Sequence, residues 1–222
     1  NGAASSAFGG GGSISGVGDV NADGYDDFAI GSGGYDSPAT NSGKVEIYKG
    51  GPSTTDWTVI RTAAPLGDSG VANMYCGGFP GGKEGLNMIT GVGDINFDGY
   101  DDYAVGCMGD PAADIANSPS KVYVLSGAET SPSSSNYLAL FNHDTTNATK
   151  STRFGSAVAN AGDISGDGIN DLIIGAQGWD NTSAADGKGK VFVKSLSSAA
   201  NSCYGAGSAY CELFVKESTT SS

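Results

Sequence analysis

The chain has 222 residues, 38% of them hydrophobic, and a formal net charge of −13. That length suits one large all-β domain, and the acidity excludes a nucleic-acid or anionic-membrane surface, both of which need basic patches. Glycine supplies 37 residues, more than twice the usual ~7%, with no three-residue period, which excludes collagen and points to many tight turns.

Taken in order, the chain opens with Phe8-Gly9, a glycine run and a short alternating segment, Ser13 to Val17, that reads as a strand. An Asp-rich loop follows, then a second strand, Asp27 to Gly31, a polar connection, Ser32 to Ser42, and a third strand, Gly43 to Tyr48. Its polar–apolar alternation marks a half-buried strand. Thr54 to Arg61 reads as a fourth, more polar strand. The four pieces return as Leu86–Thr90, Tyr103–Val105, Lys121–Leu125 and Tyr137–Phe141, and again as Phe154–Val158, Leu172–Ile174, Lys190–Lys194 and Cys211–Val215. No segment carries a 3.6-residue apolar stripe, so almost no helix is expected.

A four-stranded unit repeating at roughly 70 residues is the mark of a propeller blade. The reading is therefore all-β: one domain over 1–222 made of three four-stranded antiparallel blades, at about 8–66, 72–145 and 152–217. The second strands, apolar on both faces, belong where neighbours cover both sides. The fourth strands carry Asp56, Arg61 or Glu212, as an outer edge facing water should.

The Asp-rich loop recurs with the strands. Gly18-Asp19-Val20-Asn21-Ala22-Asp23-Gly24-Tyr25-Asp26-Asp27 returns as Gly93 to Asp102 and as Gly162 to Asp171. The shared pattern, D-x-[NS]-x-D-G-x-x-D, places oxygen side chains at positions 1, 3, 5 and 9. Ca²⁺ takes six to eight oxygens at roughly 2.3–2.6 Å, and a curled loop aims alternate side chains at one point. The candidate ligands are Asp19, Asn21, Asp23 and Asp27; Asp94, Asn96, Asp98 and Asp102; Asp163, Ser165, Asp167 and Asp171. Position 7 adds a backbone carbonyl from Tyr25, Tyr100 or Ile169. The glycine at position 6 takes a bend that a Cβ would obstruct. Mg²⁺ suits the pattern less, because it keeps several waters. Ser165, a neutral hydroxyl, makes the third loop the expected weakest of three sites.

These residues resemble the FG-GAP repeat family: Phe-Gly ahead of the loop, Gly-Asp opening it, D-x-N-x-D-G-x-x-D within it, and Ala-Ile-Gly or Ile-Ile-Gly-Ala after it. Such repeats build the calcium-binding β-propeller of integrin α subunits and of many secreted proteins. The resemblance implies that the metal loop joins the first and second strands on one rim of the propeller. It says nothing specific about the ligand. Two departures stand out. The second repeat lacks a clean Phe-Gly, with Phe79-Pro80-Gly81-Gly82 the nearest. The family closes with about seven blades and propellers need at least about four, whereas three are present. Two blade flanks, near Phe8 and beside Lys190–Lys194, are therefore expected to need further blades or other subunits.

Catalysis has little support. The single histidine, His143, lies in a polar stretch between repeats. The pairs Asp26–Asp27 and Asp101–Asp102 could suggest two-carboxylate glycosidase chemistry, but the repeat explains them: the second Asp is a metal ligand and the first points elsewhere. Four cysteines, Cys76, Cys107, Cys203 and Cys211, stand outside any C-x-x-C pattern. Their even number, beside sequons at Asn147 and Asn181, indicates an oxidising secretory environment. The expected pairs, out of three possible connectivities, are Cys203–Cys211 and Cys76–Cys107. No stretch approaches the roughly 20 apolar residues of a membrane span, and the chain starts at Asn1, as a processed chain or fragment would.

The connection after the second strand carries Tyr35-Asp36 in the first repeat and Trp179-Asp180 in the third. These loops belong on the rim opposite the metal loops. There they either bind a glycan or protein or pack on the neighbouring blade. The whole reads as an extracellular or cell-surface propeller segment for adhesion, ligand binding or surface assembly, not an enzyme. Two alternatives are a glycan-binding accessory module of a secreted hydrolase and a structural subunit of an extracellular filament or coat.

Overall fold

A computed structural model of the protein describes residues 13–36, 39–53, 57–63, 72–79, 86–109, 120–128, 130, 137–142, 152–179 and 189–197, together with the backbone of 212–217. Among the described residues, twelve strands form three antiparallel sheets, each paired in chain order. The first holds β1 (Ile14–Gly18), β2 (Asp27–Ser32), β3 (Lys44–Tyr48) and β4 (Val59–Ala63). The second holds β5 (Ile89–Gly93), β6 (Asp102–Cys107), β7 (Lys121–Leu125) and β8 (Ala139–Asn142). The third holds β9 (Phe154–Gly162), β10 (Asp171–Ala176), β11 (Lys190–Lys194) and β12 (Glu212–Glu217). These are three four-stranded blades. Among the described residues no helix is long and apolar enough to cross a membrane.

Period-two alternation sorts each strand between two cores. Along β6 and β7, Tyr103, Val105, Cys107, Tyr123 and Leu125 face the first blade, against Val17, Ala29, Val45 and Ile47. Their neighbours Ala104, Val122 and Val124 face the third, against Phe154, Leu172, Ile174 and Phe192. Both faces of the middle blade are thus covered, and every residue of β6 is buried. Each fully buried aliphatic side chain contributes roughly 1.5–3 kcal/mol, so blade stacking is the main apolar term. On the outer flanks the same alternation leaves apolar groups in water. Ile14 is 63% exposed on the first blade and Val191 41% on the third, and Trp57, just ahead of β4, is 65% exposed.

The fourth strands lie later than expected, at Val59–Ala63 rather than from Thr54, at Ala139–Asn142, and at Glu212–Glu217. Pairing with β3 sets the first of these, because Val45↔Ala63 and Ile47↔Arg61 bring Ala63 into the core. In the second blade β5 starts at Ile89 rather than Leu86 and carries a bulge between Gly91 and Gly93, matching the one between Gly16 and Gly18 in β1. Arg61 corrects the expectation of a water-facing outer edge. It is only 8% exposed, and its guanidinium donates to the Val20 carbonyl at 2.8 Å. It lies on the face turned toward the second blade. Asp56 and the side chain of Glu212 lie outside the described residues.

The lead-in to the second blade is also not where the sequence suggests. Phe154 pairs with Ala176 where β9 meets β10, and the following Gly155 has φ +81° and packs on Val122 of the preceding blade. One blade earlier, Cys76 pairs with Cys107 in an antiparallel bridge. The following Gly77, φ +73°, packs on Val45 in the same way. Cys76-Gly77, not Phe79, therefore stands in the Phe-Gly place. The aromatic anchor, which in the third blade meets Phe192 edge-on at 5.2 Å, is replaced by the Cys76–Cys107 disulfide. Cys203 and Cys211 lie outside the described residues.

These lead-ins approach the preceding blade so closely that it needs glycine. A Cβ on Gly31 would lie 1.8 Å from the Gly77 carbonyl oxygen, and one on Gly106 2.1 Å from that of Gly155. Both obstacles are backbone. Gly106→Ala is therefore expected to destabilise by about 1–3 kcal/mol or more. Gly16→Ala, where a Cβ meets nothing within 4 Å, should stay within about 0.5 kcal/mol; paired urea denaturation curves check the difference. The disulfide closes a sequence separation of 31 residues. Chain entropy alone gives about 3–4 kcal/mol for a loop of that length, so Cys76→Ala/Cys107→Ala should lower the urea midpoint correspondingly, and non-reducing peptide mapping should recover the pair.

Candidate metal centres

The three Asp-rich loops join β1 to β2, β5 to β6 and β9 to β10, at the same end of each blade, and share one backbone course. Position 4 is left-handed in each, with φ of 57° at Ala22, 60° at Phe97 and 78° at Gly166. Position 6 has φ of 88°, 88° and 89° at Gly24, Gly99 and Gly168. A Cβ at any of the three glycines would meet nothing within 4 Å. The requirement there is thus the positive φ itself, not the lack of space that the motif suggests.

The first aspartate organises the curl. Asp19 accepts the N–H groups of Asp23 at 3.0 Å and Gly24 at 2.7 Å. Asp94 accepts those of Asp98 at 3.0 Å and Gly99 at 2.8 Å, and Asp163 those of Asp167 at 3.0 Å and Gly168 at 2.8 Å. The fifth-position carboxylate accepts the N–H two residues on, from Tyr25, Tyr100 or Ile169. At position 3, Asn21 donates to Asp27, Asn96 accepts the Asp98 N–H, and the Ser165 hydroxyl reaches Asp163 at 3.4 Å.

The ninth-position aspartate is buried in all three blades. Asp27 accepts from Val20 N at 3.2 Å and from Gly50 N at 2.7 Å. Asp102 accepts from Ile95 N at 3.0 Å and from Gly127 N at 2.9 Å. Each therefore ties its loop to the residue pair after the third strand. Asp171 accepts from Ile164 N and Ser165 N at 2.9 and 2.8 Å, while its Oδ1 is buried without a hydrogen-bond donor among the described residues.

Burial raises Asp27 above the usual carboxylate range, and it pushes Asp102 up to about 7 against the lowering hydrogen bonds from Gly127 and Ile95. Asp163 is lowered, first by the Gly168 N–H. Asp23 is lowered, first by its hydrogen bond with Lys49. Among the described residues no three His, Cys, Asp or Glu side chains converge as a metal cluster as they stand. The donor set nonetheless fits a hard cation. It is all oxygen, repeated on one backbone course, with an unsatisfied buried carboxylate oxygen at Asp171.

The eighth position shows where Asp101, the first Asp of its pair, points, and where Asn170 points in the third loop. Asp101 Oδ2 accepts from Asp19 N at 2.9 Å, and Asp101 N donates to the Asp19 carbonyl at 3.1 Å. Asn170 Nδ2 donates to the Val92 carbonyl at 2.8 Å. Each latches its loop onto the preceding blade, and Gly18 leaves room for Asp101. Motif reading identified neither this latch nor Arg61, because both act between segments far apart in sequence. The signal present was that the pair repeats while only its second member fits the ligand spacing.

Tyr35 and Trp179 lie at the opposite end of the blades and share one turn. Their N–H groups donate to Ser32 and Ala176, and their carbonyls accept from Gly43 and Gly189. Both rings are half-buried. Lys44 covers Tyr35 at 4.7 Å from the ring centroid, and Lys190 covers Trp179 at 4.2 Å. Trp179 packs on the core between the second and third blades, edge-on to Phe192 at 5.4 Å. Asp36 accepts the Asn41 N–H at 2.8 Å. Asp180, Asn147, Asn181 and His143 lie outside the described residues.

Residues 11–48 and 154–193 match the FG-GAP repeat profile; the stretch between them contains the Cys76-Gly77 lead-in. The chain is 32% identical over 174 residues to integrin alpha pat-2 of Caenorhabditis briggsae, covering 76% of this chain and 13% of that protein. It is 28% identical over 170 residues to integrin alpha-PS2 of Drosophila melanogaster, covering 73% of this chain and 11% of that protein. It thus spans only a small part of the length of these relatives.

Asp101→Ala removes a charged acceptor from the Asp19 N–H, a bond type worth about 1.5–3 kcal/mol. Asp26→Ala, at the same motif position on an exposed site of the first blade, should cost less than about 0.5 kcal/mol. Thermal melts of the two variants should separate accordingly.

Proposed function

We propose that this run of FG-GAP repeats, similar to integrin alpha chains, is a calcium-binding extracellular β-propeller segment acting in adhesion or ligand binding. The observation that carries the reading is the threefold recurrence of one oxygen-lined loop, with the same left-handed positions, on one rim of stacked blades. Asp19, Asn21, Asp23, the Tyr25 carbonyl and Asp27 would hold the first ion. Asp94, Asn96, Asp98, the Tyr100 carbonyl and Asp102 would hold the second. Asp163, Ser165, Asp167, the Ile169 carbonyl and Asp171 would hold the third. Calcium would supply charge neutralisation there. The chain's own part is to curl the loop through the first aspartate and anchor it through the ninth.

Binding rather than catalysis is the role, with a protein as the favoured ligand class. The Tyr35 and Trp179 rings, each with a lysine over it, support packing more than a glycan platform. An oxidising, secretory setting is supported by the Cys76–Cys107 disulfide. The exposed flanks of the first and third blades call for further blades or other subunits.

Calcium chelation tests the reading. A ligand bound only by the folded state adds about 1.4 kcal/mol per site at tenfold excess over Kd. Excess chelator should therefore lower the Tm, calcium should restore it, and Asp98→Ala should remove part of the metal-dependent increment. A Tm indifferent to chelator and calcium refutes it.

A further inference from the structure

The first and second loops carry the same donors in the same order: Asp, Asn, Asp, Gly, Tyr and Asp at positions 1, 3, 5, 6, 7 and 9. What stands beside them differs. Tyr48 pairs with Phe28, Leu125 with Tyr103 and Lys194 with Leu172, so the next residue occupies the same place in each blade. That residue is Lys49, Ser126 or Ser195. All three reach the fifth-position carboxylate. The Ser126 hydroxyl donates to Asp98 Oδ2 at 3.3 Å and the Ser195 hydroxyl to Asp167 Oδ2 at 3.3 Å. In the first blade the Lys49 ammonium forms an ion pair with Asp23 Oδ2.

We propose that Lys49 is a built-in competing cation that makes the first loop a weaker calcium site than the second. The inference rests on the calcium reading above. Two serines leave the fifth-position carboxylate its full charge. An ammonium neutralises part of it, and Lys49 is attracted by Asp27 and Asp19 as well. A divalent cation in the first loop must displace the ammonium or tolerate its repulsion, and among the described residues neither demand arises in the second loop. Of the other charges near the first loop, Asp101 sits on the backbone N–H of Asp19 and Arg61 on the Val20 carbonyl, not among the side-chain donors, and Asp26 is exposed at position 8, outside the donor positions. Lys49 lies outside the loop motif, so a ranking drawn from the motif alone, with Ser165 marking the third loop as weakest, does not register it.

The test is a reciprocal swap in the full chain: Lys49→Ser, Lys49→Gln, Ser126→Lys and the double swap. Ca²⁺ affinities are read by calorimetry. Tb³⁺ luminescence sensitised by Tyr25 or Tyr100 assigns the loops, with Tyr25→Phe and Tyr100→Phe removing each signal. Lys49→Ser and Lys49→Gln should tighten the first loop about 1.5- to 5-fold, the range of an exposed ion pair, with the gain shrinking as salt rises. Ser126→Lys should weaken the second loop by a similar factor. If calcium binds but both swaps leave the affinities unchanged, the role of Lys49 is overturned and the calcium reading stands. If no loop of the wild-type chain takes up Ca²⁺, both are overturned.

Discussion

The buried aspartate that opens each second strand is the point on which the blade depends. Asp27 and Asp102 each accept one N–H from the start of the loop and another from the chain just past the third strand. A single carboxylate therefore joins three successive segments of the meander. Burying an acidic group is costly unless its oxygens are matched to donors or to a cation. The N–H groups offset part of that cost. Burial still pushes Asp102 up to about 7, and Oδ1 of Asp171 is buried without a hydrogen-bond partner among the described residues.

From that anchor the loops extend outward and the blades extend sideways. The latches at position 8 make the rim continuous, because Asp101 reaches the backbone of Asp19 and Asn170 that of Val92. The opposite rim is joined by close backbone approach: Gly31 against Gly77, and Gly106 against Gly155. Between the rims lie the two apolar cores. Relative blade position is thus set at both ends and in the middle, which couples the geometry of each Asp-rich loop to the packing of its neighbour.

The second blade shows one structural task met by two chemistries. The third blade anchors its lead-in with an aromatic ring wedged between blades, whereas the second does so with a covalent bond between Cys76 and Cys107. The glycine that follows keeps the same left-handed conformation in both. The backbone path, rather than the anchoring side chain, is the shared requirement.

The three-blade architecture and the loop motif were legible in the amino-acid sequence, because both are periodic and local. Alternation over five residues specifies a strand whatever packs on it, and the spacing of Asp, Asn and Gly within ten residues specifies the curl. The sequence also held the pairing of Cys76 with Cys107. Tertiary structure decided what depends on partners distant along the chain. It turned Arg61 inward to the Val20 carbonyl, put Cys76-Gly77 in the lead-in place, covered Tyr35 and Trp179 with lysines, and brought Lys49 onto Asp23. A local pattern sets which way a side chain alternates. Only the register of β3 with its neighbours and the stacking of one blade on the next set what that side chain meets.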